Sequence, residues 1–156
     1  MSIDWWHGPR DQLRPLFELA EDSEVQLASY LNEGRVLVAM SGDDILGHLQ
    51  LIASGNEMEI KSMAVRPDSQ GQGIGRELVE AARTIAGAES FTRMTVSTAA
   101  AAAQTLRFYQ RVGFRMASIE RDAFTPETGY PDPIFIDGVL LRDRVWLDCD
   151  LRPAAS

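Results

Sequence analysis

Three glycines stand directly before a helical pattern in the middle of the chain. Gly71, Gly73 and Gly75 alternate with other residues, and apolar side chains at helical spacing begin at Ile74. Glycine lets a backbone approach a bulky anion closely, and the first N–H groups of a helix have no hydrogen-bond partner within that helix. The pattern therefore predicts an anion-binding loop, and a diphosphate is its expected ligand.

The spacing of these glycines distinguishes between kinds of phosphate site. The G-x-G-x-x-G pattern of dinucleotide-binding folds fails in both registers, because Arg76 or Leu78 occupies the last glycine position. A G-x-x-x-x-G-K-[ST] phosphate loop is excluded, because the chain contains no Gly-Lys pair. The remaining pattern is Q-x-x-G-x-G over residues 70–75, which follows a strand predicted for residues 59–65.

Periodicity and turn residues predict the elements that must position this loop. In chain order they are a strand at 3–7, a helix over 13–20 that Pro15 kinks or begins, a helix at 23–31 capped by Ser23, strands at 35–40, 45–52 and 59–65, a helix from Ile74, a strand at 93–97, a helix at 99–112, a strand at 114–121, a loop at 122–138 and a strand at 139–148. This order predicts one α/β domain over residues 1–156, built on a single sheet of mixed direction.

A second motif lies at the end of the last predicted helix. Residues 106–114, LRFYQRVGF, resemble the A-x-x-(L/F)-Y-x-x-x-G-F segment of the GNAT N-acetyltransferases, and the Q-x-x-G-x-G loop after an Ala-Val pair resembles the acetyl-coenzyme A loop of that family. The element order is similar to the family's as well, so the resemblance covers nearly the whole chain. It implies the GNAT fold, a mostly antiparallel mixed sheet of about seven strands with about four helices.

The resemblance implies acetyl-coenzyme A as cosubstrate and assigns residues to it. The expected diphosphate ligands are the backbone groups of Gln70, Gly71, Gln72, Gly73, Ile74, Gly75 and Arg76. Arg76, with Arg107 or Arg111, is expected to add charge-assisted bonds to the phosphates. The backbone of Met63, Ala64 and Val65 is expected to pair with the pantetheine arm, and an N–H there to polarise the thioester carbonyl.

The chain departs from the family pattern in the last helix. It has Ala102 where the family often has asparagine, and Thr105 where the family often has alanine. A side-chain contact to the pantetheine arm is therefore either missing or made by Gln104.

The resemblance also implies two catalytic side chains. Tyr109 fits the general acid that returns a proton to the departing thiolate; the alternative is an aromatic residue that only packs. Glu59 fits the base that removes a proton from the amine, directly or through water; the alternative is a solvated strand residue. Glu57 and Asp122 are substitutes for the base, and an amine that arrives partly neutral needs none.

Composition excludes several other classes of protein. The formal net charge of −8 argues against a nucleic-acid partner, which requires basic patches. No apolar run is long enough for a membrane span and no secretory signal begins the chain, so a cytoplasmic location is expected. Cys149 is the only cysteine, and His7 and His48 are far apart in sequence, so no metal is expected.

Acidic residues guide the prediction of the acceptor. Two groups of carboxylates fall where GNAT enzymes commonly place the acceptor site, namely Glu18, Glu21, Asp22 and Glu24, and Asp122, Glu127, Asp132 and Asp137. They favour a small cationic amine, with a peptide amine as the alternative, although plain solvation explains them equally well.

A non-catalytic acyl-coenzyme A binding module and an unrelated nucleotide-binding domain are further alternatives for the function of the protein. A homodimer is expected from the family.

Overall fold

A computed structural model describes residues 1–152 of the chain. The helices are α1 (Arg14–Ala20), α2 (Glu24–Tyr30), α3 (Ile74–Ala88) and α4 (Ala103–Arg111). The strands are β1 (Ser2–Trp5), β2 (Arg35–Ser41), β3 (Asp44–Ser54), β4 (Glu57–Val65), β5 (Arg93–Ala99), β6 (Arg115–Glu120), β7 (Phe135–Ile136), β8 (Val139–Leu140) and β9 (Arg144–Asp150). None of these helices has the length and apolar composition that a membrane crossing requires.

Seven strands form one sheet in the order β1-β2-β3-β4-β5-β9-β6. Only the pair β4 and β5 is parallel, because the chain must cross over through α3 to connect them. The other neighbours are antiparallel. The predicted fold class, a mixed and mostly antiparallel sheet with four helices, is confirmed.

Strand β4 leaves its parallel neighbour halfway along its length. Residues 57–60 lie opposite residues 93–96 of β5, and from Lys61 onward β4 pairs only with β3. Lys61 is also the extra residue of a β-bulge, since Ile60 and Ser62 lie opposite successive residues of β3. A bulge bends its strand and increases the local twist. A gap therefore opens between the carboxyl ends of β4 and β5, with free backbone N–H and C=O groups along its edge.

The two faces of the sheet carry separate apolar cores. On one face α3 packs through Leu78, Val79 and Ala82 against inward-facing residues of the central strands. On the other face α1 and α2 pack through Phe17 and Leu27 against β2. The gap between β4 and β5 therefore connects one face of the sheet to the other.

Several local predictions agree with the structure. Pro15 lies in the first turn of α1, where its missing N–H costs nothing. The hydroxyl of Ser23 accepts a 3.1 Å hydrogen bond from the Gln26 backbone N–H and caps α2. Gly113 follows α4 with φ +104°, as expected for a residue that ends a helix.

Two element boundaries were predicted wrongly. The alanine run was assigned to a helix from residue 99, but Ala99 belongs to β5 opposite Arg144, and α4 begins only at Ala103. The final strand was assigned to residues 139–148, but Val139–Leu140 forms a hairpin with β7 and β9 runs from Arg144 to Asp150. Ala99 is held by pairing with a distant strand, which outweighs its local propensity, whereas Val139–Leu140 is separated from β9 by its own hairpin with β7.

Candidate active site

The glycine loop forms the wall of a cavity at the start of α3. Gly73 is the N-cap residue with φ +84°, and Gly71 has φ +79°. A Cβ at either position would meet no atom within 4 Å, so backbone conformation and not space requires glycine there. The cavity has a volume of about 550 Å³ and reaches the first turn of the helix. Unpaired N–H groups of that turn favour a bound anion.

Most of the predicted cofactor residues line this cavity. They are Met63, Ala64, Val65, Gln70, Gly71, Gly73, Ile74, Gly75, Arg76 and Gln104. Gln72 and Arg107 do not line it, whereas Arg111 does, one turn further along α4. The side chain of Gln70 donates a 3.0 Å hydrogen bond to the Val65 carbonyl and so holds the loop against the end of β4.

Two lining residues of α4 were not among the predicted contacts. Phe108 and Thr105 face this cavity. A Cβ added to Gly75 would meet the Phe108 ring at 3.3 Å, so α3 and α4 approach each other closely here. Helical spacing could have placed both residues on the cavity face, since Thr105 lies four residues before Tyr109 and Phe108 lies four residues after Gln104.

A second cavity, of about 470 Å³, lies on the other side of the gap and is called the central cavity here. Its walls are the gap, the turn between α1 and α2, and the segment 124–144. Both cavities share the carboxyl end of β4 and Tyr109. The gap thus joins the cavity at the glycine loop, called the anion-binding cavity here after its expected ligand, to a pocket of ligand size.

Tyr109 stands between the two cavities. Its side chain is buried, with edge contacts to Phe108 and Phe114 at ring-centre distances of 5.1 and 5.7 Å. No residue in the described part of the chain accepts a hydrogen bond from its hydroxyl. Burial raises the pKa of this phenol well above its ordinary value, so the group is protonated throughout the physiological range.

A carboxylate with two tyrosine partners forms one side of the central cavity. Glu21 accepts hydrogen bonds from the hydroxyl groups of Tyr30 at 2.9 Å and Tyr130 at 2.6 Å. Asp22 lies beside it at the rim, and burial together with the Glu21 charge raises the pKa of the Asp22 carboxyl. The Tyr130 contact joins the first two helices to a loop more than a hundred residues away, which sequence spacing could not reveal.

Two cations face the same cavity. The Lys61 ammonium lies 4.8 Å from the centre of the Tyr30 ring, and the Arg144 guanidinium lies 4.9 Å from the centre of the Phe124 ring. Both side chains line the central cavity. Neither cation was predicted as a site residue, because the bulge and the edge of β9 that position them arise from strand pairing.

Glu59 lies on the same face of the sheet but lines a neighbouring cavity of about 340 Å³. Burial raises the pKa of its carboxyl, while Lys61 and Arg144 act in the opposite direction. The two substitute bases are held in ion pairs, Glu57 with Arg93, and Asp122 with Arg142 at 2.7 Å. Neither substitute lines the central cavity.

His48 is buried behind Ser62, a residue that lines the central cavity. Its Nε2 lies 2.8 Å from the Ser62 hydroxyl, and its ring packs against Phe17 with a centre-to-centre distance of 4.2 Å and a tilt of 34°. Burial lowers the pKa of the imidazole to about 3. His48 is therefore neutral, and it contacts β4 through the hydroxyl of Ser62.

Only part of one predicted acidic wall is present. Glu21 and Asp22 line the central cavity, but Glu18 and Glu24 of the first acidic group do not. None of the second group, Asp122, Glu127, Asp132 and Asp137, lines it. In the described residues no three His, Cys, Asp or Glu side chains converge as they would around a metal ion.

A family model described as an acetyltransferase (GNAT) domain matches residues 32–116, more than half of the chain. This chain belongs to the GNAT acetyltransferases. YvbK of Bacillus subtilis strain 168, an uncharacterized N-acetyltransferase, is 32% identical over 152 residues, which are 97% of each chain. The family predicted from the two motifs, and with it the enzyme class, is confirmed.

Solved structures of similar proteins agree with the GNAT fold. An IAA acetyltransferase from Bacillus cereus ATCC 14579 is 31% identical, with a TM-score of 0.84 over 96% of this chain and 99% of that one. A Bacillus subtilis acetyltransferase in complex with CoA is 30% identical, with a TM-score of 0.86 over 95% of this chain and 97% of that one. The two structures share the fold of this chain, and the second of them holds CoA.

Proposed function

We propose that this protein transfers the acetyl group of acetyl-coenzyme A to a primary amine within a ternary complex. One observation carries the proposal: the anion-binding cavity and the central cavity meet at the gap beside Tyr109. A thioester whose diphosphate occupies the glycine loop can reach the gap along β4. An amine in the central cavity then approaches the carbonyl from the other face of the sheet.

The cofactor side of the site relies on backbone groups. The N–H groups at the start of α3 fit the diphosphate, and Arg76 and Arg111 are placed to add charge-assisted bonds. The free edge of β4 from Met63 to Val65 suits the amide groups of the pantetheine arm. An N–H on that edge can polarise the thioester carbonyl.

The chemical step forms a C–N bond and breaks a C–S bond. An acceptor that arrives as an ammonium ion gives one proton to a base and attacks as the neutral amine. Tyr109, the only tyrosine in the described residues that both cavities share, gives a proton to the departing thiolate. The second proton that the nitrogen loses, once the C–N bond has formed, restores the Tyr109 phenol. Glu59 can take the amine proton through water, and Asp22 at the cavity rim is a second candidate. The negative charge of Glu21 and Asp22 favours an acceptor that arrives as an ammonium ion.

A non-catalytic acyl-coenzyme A binding module is the alternative. It would require the glycine loop but no reactive group between the two cavities. The Tyr109 side chain is buried, and its hydroxyl has no acceptor among the described residues at the junction of the two cavities, which favours catalysis over mere binding.

Release of free thiol from acetyl-coenzyme A in the presence of a panel of amines tests the proposal. The panel holds amino acids, polyamines, aminoglycosides and peptides with a free N-terminus or lysine. We expect turnover with one class and a loss of about 10²–10⁴ in kcat for Tyr109→Phe at every pH, because the buried phenol stays protonated. The cofactor-induced rise in Tm should be the same for the variant and the native protein. Cofactor binding without turnover for any amine would favour the binding module.

A further inference from the structure

The charges in the central cavity differ from those of the chain as a whole. The chain carries a formal charge of −8, yet the cavity lining holds two cations, Lys61 and Arg144, against two carboxylates, Glu21 and Asp22. A pocket shaped only for a cationic amine would not place two further positive charges beside it, because like charges repel each other. The lining instead matches a molecule that carries both signs of charge.

The carboxylate of Glu21 already has its partners. Its two oxygens accept hydrogen bonds from Tyr30 and Tyr130, and one of them also accepts the Ser23 backbone N–H at 3.2 Å. Lys61 differs in this respect: within residues 1–152 no carboxylate lies within 4.0 Å of its ammonium group. Its position over the Tyr30 ring leaves the three N–H donors without an acceptor among the described side chains.

Arg144 has a free donor edge as well. Only its Nη1 contacts a carboxylate, that of Glu120 at 3.3 Å, and Nε and Nη2 have no acceptor in the described part of the chain. The guanidinium lies 4.9 Å from the Phe124 ring centre and 5.9 Å from that of Trp146, so its orientation is fixed by aromatic neighbours. A fixed guanidinium with two free donors is suited to hold a carboxylate through paired hydrogen bonds.

We propose that the acceptor is an amino acid, a primary amine that carries a carboxylate, and that Arg144 and Lys61 bind this carboxylate. The proposal rests on the acetyl transfer proposed above and adds its substrate class. The ammonium group faces the Glu21 and Asp22 side of the cavity, and the carboxylate takes no part in the bond changes. Apolar lining residues leave room for an apolar side chain; they include Leu19, Phe124, Ile136 and Leu141.

Matched acceptors test the role of the carboxylate. Each amino acid is assayed beside its amide and its decarboxylated amine, for example leucine, leucinamide and isoamylamine. The native enzyme should prefer the acid about 10- to 100-fold in kcat/KM, the value of a charge-assisted contact. Equal or faster turnover of the amide or the amine would overturn the proposal while leaving acetyl transfer to amines intact.

Variants of the two cations locate the contact. Arg144→Gln and Lys61→Met should each reduce the preference for the acid over its amide about ten-fold or more. Arg142→Gln removes a positive charge two residues from Arg144, but its side chain is exposed and pairs with Asp122 outside the central cavity, so the preference should be unchanged. An unchanged preference in Arg144→Gln, with normal cofactor binding, would contradict the assignment.

Binding of the acetylated product tests the carboxylate site independently of the acetyl-transfer reaction. Calorimetry on the CoA-loaded protein compares N-acetyl amino acids with their N-acetyl amides, and needs no turnover. Tighter binding of the acid form that is lost in Arg144→Gln supports the carboxylate site even if no acceptor of the panel is acetylated. Failure of every N-acetyl amino acid to bind more tightly than its amide, together with no turnover of any amino acid, would overturn it.

Discussion

At the residue scale, two carboxyl groups are candidates for the base of the proposed reaction. Burial raises the pKa of Glu59, and burial together with Glu21 raises the pKa of Asp22. A base must be deprotonated to act, so activity is expected to fall as the pH drops through the raised pKa of whichever group serves. Asp22 lies at the rim of the central cavity, whereas Glu59 lies in the cavity next to it.

The pH dependence of kcat/KM should identify the base. We expect Glu59→Gln to lower kcat/KM about 10²–10⁴-fold and to remove the acid limb that belongs to this carboxyl, because no proton acceptor then remains at that position. Glu57→Gln is the matched control on the same strand, since Glu57 is already paired with Arg93. The titration of the acceptor amine also affects kcat/KM, but it does so equally in the native enzyme and in all variants. Loss of the limb in Asp22→Asn and its retention in Glu59→Gln would assign the base to Asp22.

At the scale of elements, the glycine loop and α3 act as one unit. Gly73 is the N-cap residue of α3 and has a left-handed conformation. The first turn that follows it lines the cavity, and the N–H groups of that turn have no partner within the helix. Gly42, in the turn between β2 and β3, also has a positive φ and open space around a Cβ, but it does not line the cavity. The two glycines therefore differ in position and not in the kind of strain that a side chain would introduce.

Alanine at these two positions should separate stability from cofactor binding. Gly73→Ala and Gly42→Ala should each reduce the free energy of unfolding by about 1–2 kcal/mol, because a left-handed conformation disfavours a Cβ. Only Gly73→Ala should also weaken CoA binding, as measured by calorimetry. An equal effect of both substitutions on CoA affinity would contradict the role given to the helix start.

At the scale of the whole molecule, His48 couples stability to pH. Burial lowers the pKa of its imidazole from 6.5 to about 3, so the unfolded chain binds a proton in this interval that the folded chain does not. The free energy of unfolding must therefore decrease as pH falls below 6.5, by about 1.4 kcal/mol per pH unit from this group. The raised pKa of Glu59 acts with the opposite sign and is the same in any His48 variant.

Urea unfolding at several pH values between about 7 and 5 tests this coupling. We expect His48→Gln to lose about 2 kcal/mol less than the native protein between pH 6.5 and 5, although its stability at neutral pH is lower. Parallel curves for the variant and the native protein would show that the pKa of the His48 imidazole is the same in the folded and the unfolded chain.

Other properties of the whole molecule stay predictions. They are the homodimer, the cytoplasmic location, the absence of a nucleic-acid partner and of a metal, and the extent of the single domain. Residues 153–156 of that predicted domain lie outside the described residues.

The sequence by itself determined what depends on neighbouring residues. Gly71 and Gly73 specify the left-handed turns before α3, Ser23 caps α2, and the motif around Tyr109 indicates the family. Each of these signals is local, because conformational preference and capping act within a few residues. From them the order of elements and most of the cofactor cavity could be predicted.

Only the tertiary structure decided the acceptor side of the site. The β-bulge that turns Lys61 toward the central cavity, the approach of Tyr130 to Glu21, and the free edge of Arg144 all depend on contacts between distant segments. The alanine run follows the same rule: Ala99 pairs with Arg144 in the sheet, although alanine is a strong helix former. Non-local pairing sets these positions, and its energy exceeds the small differences in local propensity that a sequence displays.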